Sequence, residues 1–175
     1  DLSKAVVKVF VELYNDKLIY KDKKLVNWDT QLQTAISDLE VVQKEVQSQL
    51  YYIDYQLENS DTKITIATTR PETMMGDTAI AVNPKDDRYL NLIGKNVKIP
   101  VVNRTIKIIA DRYADPEQGS GAVKITPAHD FNDYEVGRRN KLQIINIFEN
   151  DGKINKNGIK EYVGLARFEA RKLLI

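Results

Sequence analysis

Tyr51, Ile53, Tyr55 and Leu57 alternate with Tyr52, Asp54 and Gln56, the period-two pattern of a strand buried on one face. Asn59-Ser60-Asp61 supplies a turn, and residues 64–69 read as a second strand, so the pair predicts a hairpin. Further short strands are predicted at 79–82, 97–102, 105–110, 121–126 and 144–148, with tight-turn signals at Asp151-Gly152 and Asn157-Gly158. Helical spacing is rarer. Val6, Phe10, Leu13 and Tyr14 share one face of a helix over 3–19, with Ser3 as its N-cap. Residues 25–28 suggest a short strand, and 30–40 fit neither period. Two more helices are expected, at 131–140 and from about Leu165, the second with Phe168 on its apolar side. Many short strands and few helices predict a mainly β fold, a barrel-like sheet with helices packed on it. The expected division is a helical and irregular connecting segment over 1–50 and a barrel domain over 51–175. The chain starts at Asp1 inside one helical pattern and stops at Leu173-Leu174-Ile175 inside another, so an origin in a longer protein is expected.

Composition sharpens this picture mainly by exclusion. Of 175 residues, 42% are apolar and 29% charged, enough to build a core. Lys and Arg number 26 against 25 Asp and Glu, a net charge of +1, so any nucleic-acid binding must come from a local patch. Cysteine is absent, which removes disulfides, thiol nucleophiles and cysteine-bound zinc. The single histidine, His129, leaves no paired-histidine chemistry, and no metal site is expected. No apolar run approaches the roughly 20 residues that span a bilayer, and no signal-peptide pattern opens the chain. A soluble, cytoplasmic setting without membrane contact is expected.

Two segments gather polar groups where strands end. In Thr68-Thr69-Arg70-Pro71-Glu72-Thr73-Met74-Met75-Gly76-Asp77, Pro71 cannot continue a ladder but suits the first position of a short helical turn that Gly76 can end. Hydroxyls, a guanidinium and free N–H groups then surround one strand exit, a setting for an anionic or ribose-bearing ligand. An ordinary corner with Arg70 paired to a carboxylate accounts for the same spacing. The second segment runs Gly119-Ser120-Gly121-Ala122-Val123-Lys124-Ile125-Thr126-Pro127-Ala128-His129-Asp130-Phe131-Asn132-Asp133. On a strand, Val123 and Ile125 share one face and Lys124 and Thr126 the other. Asp130 then sits at a helix N-cap with Asp133 one turn along, on the same side. Spacing leaves their roles open. Asp130 could simply cap, for about 1 kcal/mol. Asp133 could be an exposed residue complementing the helix dipole, for about 0.3–1 kcal/mol. His129 reads as structural or pocket-rimming rather than as a base. The GxGxxG and GK[ST] phosphate-loop patterns are absent. Asp86-Asp87 and Arg138-Arg139 read as solvated charges, and Trp28 as a local packing anchor.

Together the two segments carry a resemblance. Thr68-Thr69-Arg70-Pro71-Glu72-Thr73 followed by Gly76-Asp77-Thr78-Ala79 resembles the threonine-rich motif of class I aminoacyl-tRNA synthetase editing domains. Gly121 to Asp130 with Asn132-Asp133 is similar to their second editing motif, and Val-Lys-Ile-Thr-Pro before Ala-His-Asp resembles the valyl branch. The leucyl branch shares the Thr-Thr-Arg-Pro and Pro-Ala-His-Asp elements but differs around them, and the isoleucyl branch lacks both in this form. Leu25-Val26-Asn27-Trp28-Asp29, Ala35-Ile36-Ser37-Asp38-Leu39-Glu40, Asn83-Pro84 with Arg88-Tyr89, and Ala114-Asp115-Pro116 are also valyl-like, so the resemblance covers nearly the whole chain. Ser120 stands where that branch usually has Thr, Thr30 where Pro is common, and Met75 where Leu is common. The HIGH and KMSKS motifs do not occur.

The resemblance implies an editing domain, the connective polypeptide 1 insertion, with a C-terminal helix returning to a catalytic core outside this chain. A pocket shaped for valine rejects threonine by only about 100-fold, a figure that belongs to valyl enzymes as a group. A second, polar site is needed to recognise the hydroxyl. The implied reaction is hydrolysis of threonine from the acceptor end of tRNA(Val) by a positioned water, with no Ser-His-Asp triad. Catalytic roles fall to Asp133, Lys124, Thr73 and Arg70. Substrate contacts fall to Thr69, Val123, Thr126, His129, Asp130, Asp133 and Asp77. Asp133 is assigned to the α-ammonium, and Asp130 with Lys124 to the hydroxyl, though the two Asp roles could be exchanged. Arg70, Thr69 and Thr73 orient the adenosine, the carbonyl or the water, and Asp77 also braces the threonine-rich loop. No cofactor serves editing, since ATP and Mg belong to the synthetic domain. The expected partners are tRNA(Val) and the remaining domains of one monomeric synthetase. A noncatalytic clamp for the tRNA end and a carboxylate-pair glycosidase are the alternatives, the second weakened because Asp130 and Asp133 share one helical turn.

Overall fold

The computed structural model describes residues 1–175. Six strands form the main sheet: β3 (Tyr51–Leu57), β4 (Lys63–Thr68), β5 (Ala79–Val82), β6 (Asn96–Lys98), β7 (Thr105–Ala110) and β8 (Ala122–Ile125). They run in the order β4-β3-β6-β7-β5-β8, antiparallel except for the parallel pair β5–β7. The end strands β4 and β8 lie side by side, so the sheet is nearly closed into a barrel. The alternation in β3 does what it predicts: Tyr55 and Leu57 are buried and Tyr52, Asp54 and Gln56 are exposed. β-Branched residues from facing strands fill the interior, among them Ile64, Ile66, Ile80, Val82, Val97, Ile106 and Ile108. All four residues of β5 are buried, because Ile80 and Val82 face the barrel while Ala79 and Ala81 pack outward with Ile125 and Val136.

Val136 belongs to α2 (Phe131–Arg139), which begins as β8 ends. Gly137 lets α2 approach the strand exit, since a Cβ there would lie 2.8 Å from Pro127 Cγ. A third cluster, Met75, Ile147, Ile154 and Ala170, seats α3 (Arg167–Leu174) against the 3-10 turn Pro71–Gly76. Residues 1–50 contribute no buried residue. They comprise α1 (Leu2–Asn15) and a hairpin of β1 (Asn27–Asp29) and β2 (Thr34–Ile36). Trp28 anchors that hairpin by donating its indole N–H to the Asn150 carbonyl at 2.9 Å. No helix is long and apolar enough to cross a membrane.

Several local expectations are corrected. The first helix stops at Asn15, with Lys17 at φ +58°, and Asp1 rather than Ser3 caps it, accepting from the Ser3 N–H. The strand expected at 97–102 ends at Lys98, because Pro100 has no N–H for the ladder and Val101 turns at φ +56°. Residues 144–148 form no strand. The Ile147 N–H donates to His129 Nε2 and the Phe148 N–H to Asn146 Oδ1, leaving one bridge between Phe148 and Ile154. Phe168 is not on the packed side of α3: Ala170 is, and Phe168 is 53% exposed. The charges at 86–87 and 138–139 divide. Asp86 is buried in a two-point pair with Arg88, and Arg139 makes a two-point pair with Asp111, while Asp87 and Arg138 are solvated.

Candidate active site

Four pieces of chain meet at one cleft of about 270 Å³: the end of β4, the turn Pro71–Gly76, the end of β8 and the start of α2. Thr69, Arg70, Thr73, Val123, Lys124, Thr126, His129, Asp130 and Asp133 all line it. Asp77 does not. It is fully buried behind the cleft, where Oδ1 accepts from Lys124 Nζ at 3.2 Å and Thr126 Oγ1 at 2.6 Å, and Oδ2 accepts from the Tyr55 hydroxyl at 2.7 Å. The expected substrate contact at Asp77 is therefore corrected to a support for the cleft floor. Burial raises its carboxyl above the ordinary range, and the Lys124 charge with the Thr126, Tyr55 and Lys124 hydrogen bonds offsets only part of that rise.

Lys124 and Thr126 sit side by side, as the strand period requires. Lys124 Nζ donates to Thr126 Oγ1 at 2.6 Å, to Thr73 Oγ1 at 2.7 Å and to Asp77, so its three protons are all engaged within the chain. The hydroxyl protons are engaged too: Thr126 donates to Asp77 and Thr73 donates to the Arg70 carbonyl at 2.9 Å. What this polar floor offers the cleft is oxygen lone pairs, held in place by a buried cation.

The two carboxylates of α2 are each half used. Asp130 is the N-cap, its Oδ1 accepting from the N–H groups of Asn132 and Asp133, while Oδ2 has no partner in the chain. Asp133 is buried rather than an exposed first-turn residue, and its Oδ2 accepts from the Thr126 N–H at 2.8 Å, tying α2 to the end of β8. The other oxygen of Asp133 is unpartnered. Burial raises this carboxyl from 3.8 to about 6, against the opposing pull of the Thr126 N–H and the Lys124 charge.

His129 rims the cleft but is engaged elsewhere. Its Nε2 accepts from Ile147, its ring meets Phe148 edge-on at 4.7 Å, and burial with the nearby Arg70 and Lys124 charges holds its pKa at about 3. It is a neutral, structural histidine. Arg70 donates Nη1 to the His129 carbonyl at 2.7 Å, which locks the two motifs together. No three His, Asp or Glu side chains converge to hold a metal ion.

A family profile described as tRNA synthetases class I (I, L, M and V) matches residues 1–165. The chain belongs to these class I tRNA synthetases. Relatives of this synthetase segment include the valine--tRNA ligases of Pelagibacter ubique, 70% identical over the whole chain, and Lactococcus lactis, 58% identical over 99% of it. The chain spans about one fifth of each, 20% of their length. Among solved structures, the Agrobacterium radiobacter K84 agnB2 LeuRS-tRNA-LeuAMS ternary complex aligns with TM-score 0.55, covering 96% of this chain and 30% of that one at 20% identity. At that identity the likeness is one of fold, and it agrees with the mainly β barrel described above.

Reading the sequence misses three supports of the synthetase segment's cleft. Glu72, 1% exposed, makes a two-point ion pair with Arg171 of α3 at 2.7 Å in both contacts. Arg104 donates to the Met75 and Asp77 carbonyls, fastening the far end of the same turn. Tyr55 fixes Asp77. A carboxylate within the apolar setting of Pro71 and Met74-Met75 is the one local hint that Glu72 needs a buried partner.

Proposed function

We propose that this chain is the editing domain of a valine--tRNA ligase, hydrolysing the ester of threonine wrongly attached to tRNA(Val). The observation that carries the reading is the pair of half-used carboxylates, Asp130 and Asp133, facing a floor of immobilised hydroxyls. A buried carboxylate with one free oxygen and a raised pKa lacks a cation, and the α-ammonium of an aminoacyl ester is a cation of the right size. Asp133 binds that ammonium. The free oxygen of Asp130 accepts from the threonine hydroxyl, and Lys124 acts by fixing Thr73 and Thr126 instead of touching the hydroxyl itself.

Hydrolysis needs a water placed at the ester carbonyl, and the cleft offers Thr69, Thr73 and the remaining guanidinium donors of Arg70 to orient water and carbonyl. The water oxygen adds to the carbonyl carbon, the carbon–oxygen bond to the ribose breaks, and the leaving ribose oxygen takes up the proton that the water gives up. The partners on this reading are the acceptor end of tRNA(Val) and the other domains of the cytoplasmic ligase. The test is to charge tRNA(Val) with threonine and with valine and measure deacylation by the full-length enzyme. Threonyl-tRNA should be cleared much faster than valyl-tRNA, and Asp133→Ala should abolish the clearance. A full-length enzyme that leaves threonyl-tRNA intact overturns the reading.

A further inference from the structure

Packing alone does not account for Tyr55. It is 0% exposed, and its ring lies in the barrel core with Ile64, Ile66 and Val97. Phenylalanine would fill the same space, and a buried phenol is costly unless its hydroxyl finds a partner. The partner is Asp77 Oδ2, which accepts from the Tyr55 hydroxyl at 2.7 Å. Burial with the neighbouring Asp77 charge pushes the phenol well above its ordinary range, so Tyr55 keeps its proton and stays the donor.

This contact reaches the cleft in two steps. Asp77 Oδ1 accepts from Thr126 Oγ1 at 2.6 Å and from Lys124 Nζ at 3.2 Å, and Lys124 donates onward to Thr73 Oγ1 at 2.7 Å. Thr126 and Thr73 line the cleft, whereas Tyr55 and Asp77 do not. The last torsion of an aspartate is broad, so a carboxylate gripped at one oxygen can turn. The phenol grips the second oxygen and keeps Oδ1 aimed at Thr126 and Lys124. The charged groups facing this carboxyl are Lys124 of β8 and Arg104 just before β7, whose Nη2 donates to the Asp77 carbonyl at 2.9 Å.

We infer that Tyr55 is a positioning residue for specificity. From inside the barrel it holds Asp77 so that Thr126 and Thr73 keep lone pairs toward the cleft, and the preference for a hydroxylated side chain depends on it. The inference rests on the deacylase reading. Without the phenol, Oδ2 is a buried acceptor with no partner, and the carboxyl is driven toward its protonated form. A protonated Asp77 gives Lys124 no counter-charge and holds the Thr126 proton less firmly. That proton can then turn into the cleft, and the fixed acceptor that sets threonine apart from valine is lost.

The experiment uses the full-length ligase, tRNA(Val) charged with threonine, and two nonhydrolysable inhibitors of its deacylation: threonine or valine linked by an amide to the terminal adenosine. Wild type should prefer the threonyl inhibitor. Tyr55→Phe should reduce that preference by roughly tenfold, the scale of one hydrogen bond to a charged group. It should also move the acidic limb of the deacylation pH profile upward, because Asp77 becomes easier to protonate. In Tyr55→Phe combined with Asp77→Asn no carboxyl remains there to titrate, so the limb should return to its wild-type position while the preference stays low. An unchanged preference or an unmoved limb in Tyr55→Phe overturns the inference and leaves Tyr55 a core residue only. A limb that stays displaced in the double variant overturns it too, because Asp77 is then not the group that titrates. Hydrogen exchange of the β3 amides checks the barrel, and a barrel opened in both variants also overturns the inference. A wild type that does not clear threonyl-tRNA, or that binds both inhibitors alike, is the separate failure of the underlying reading.

Discussion

Asp133→Asn should stabilise this protein near neutral pH while removing the proposed deacylation. The Asp133 carboxyl releases its proton near pH 6 in the fold and near 3.8 when exposed, so its ionised form is penalised by burial. Across that interval, at 1.36 kcal/mol per pH unit, the penalty is about 3 kcal/mol. The protonated group favours the folded state, so its contribution is fully present below pH 3.8 and is lost as the pH rises through about 6. Asparagine never ionises, yet its carbonyl can still accept from the Thr126 N–H. The variant should therefore gain up to about 3 kcal/mol over wild type at pH 7, and the gain should fade toward pH 4. Hydrogen exchange of the β8 and α2 amides in the full-length ligase, corrected for intrinsic rates, reads this as up to about 100-fold greater protection at pH 7. Deacylation of threonyl-tRNA should fall in the same variant, because a neutral amide cannot pair with an ammonium. A variant less protected than wild type at pH 7, or a difference that does not shrink on acidification, refutes the picture of an unpaired buried charge.

Lys124→Met leaves Asp77 buried without its cation, which should cost about 3–5 kcal/mol, and Asp77→Asn in the same chain should recover part of that loss. Costs that simply add would show that the pair is not coupled; denaturation monitored at Trp28 reports them. Glu72→Gln should release α3 from the Pro71–Gly76 turn and slow deacylation, and Arg171→Lys alone should slow it too, because a lysine cannot make the two-point contact. Full activity in Arg171→Lys would dispose of that account. With His129 held near pKa 3 and neutral from pH 5 to 8, His129→Gln should leave the limbs of the deacylation pH profile where they are in wild type. Loss of a limb near pH 6 would mean that the histidine titrates in the reaction.

Much of this arrangement was legible because it is local. Strand alternation in β3, the polar pair Lys124 and Thr126, the cap at Asp130 and the turn begun by Pro71 each follow from a few neighbouring residues. What escaped depends on distant residues meeting. Asp77 looks like a cleft residue in its motif, and only the arrival of Tyr55 from β3 and Lys124 from β8 turns it inward. Glu72 and Arg171 are 99 positions apart. Residues 144–148 carry a strand's apolar alternation, but a histidine side chain took the Ile147 N–H and left no ladder to build. Phe168 has helical spacing appropriate to packing, yet Ala170 occupies the contact and the ring stays at the surface.

On the proposed deacylase reading, the placement of Asp130 and Asp133 separates two tasks that one carboxylate could not perform. Threonyl and valyl esters both carry an ammonium, so the Asp133 contact strengthens binding of either and discriminates between neither. Discrimination has to come from the hydroxyl. Asp130 is suited to it because capping uses Oδ1 and fixes the direction of Oδ2, so a methyl group placed there would cover a carboxylate oxygen without giving it a hydrogen bond. Leaving such a polar atom unsatisfied costs about 1–3 kcal/mol, and the lone pairs of Thr126 and Thr73 are affected in the same way. The buried Lys124 makes that penalty rigid: its donation to Thr73 and Thr126, with their own protons held by the Arg70 carbonyl and Asp77, fixes both hydroxyls with a lone pair toward the cleft that a methyl cannot satisfy. Selectivity on this reading comes from fixed acceptors that threonine's hydroxyl can satisfy and valine's methyl cannot.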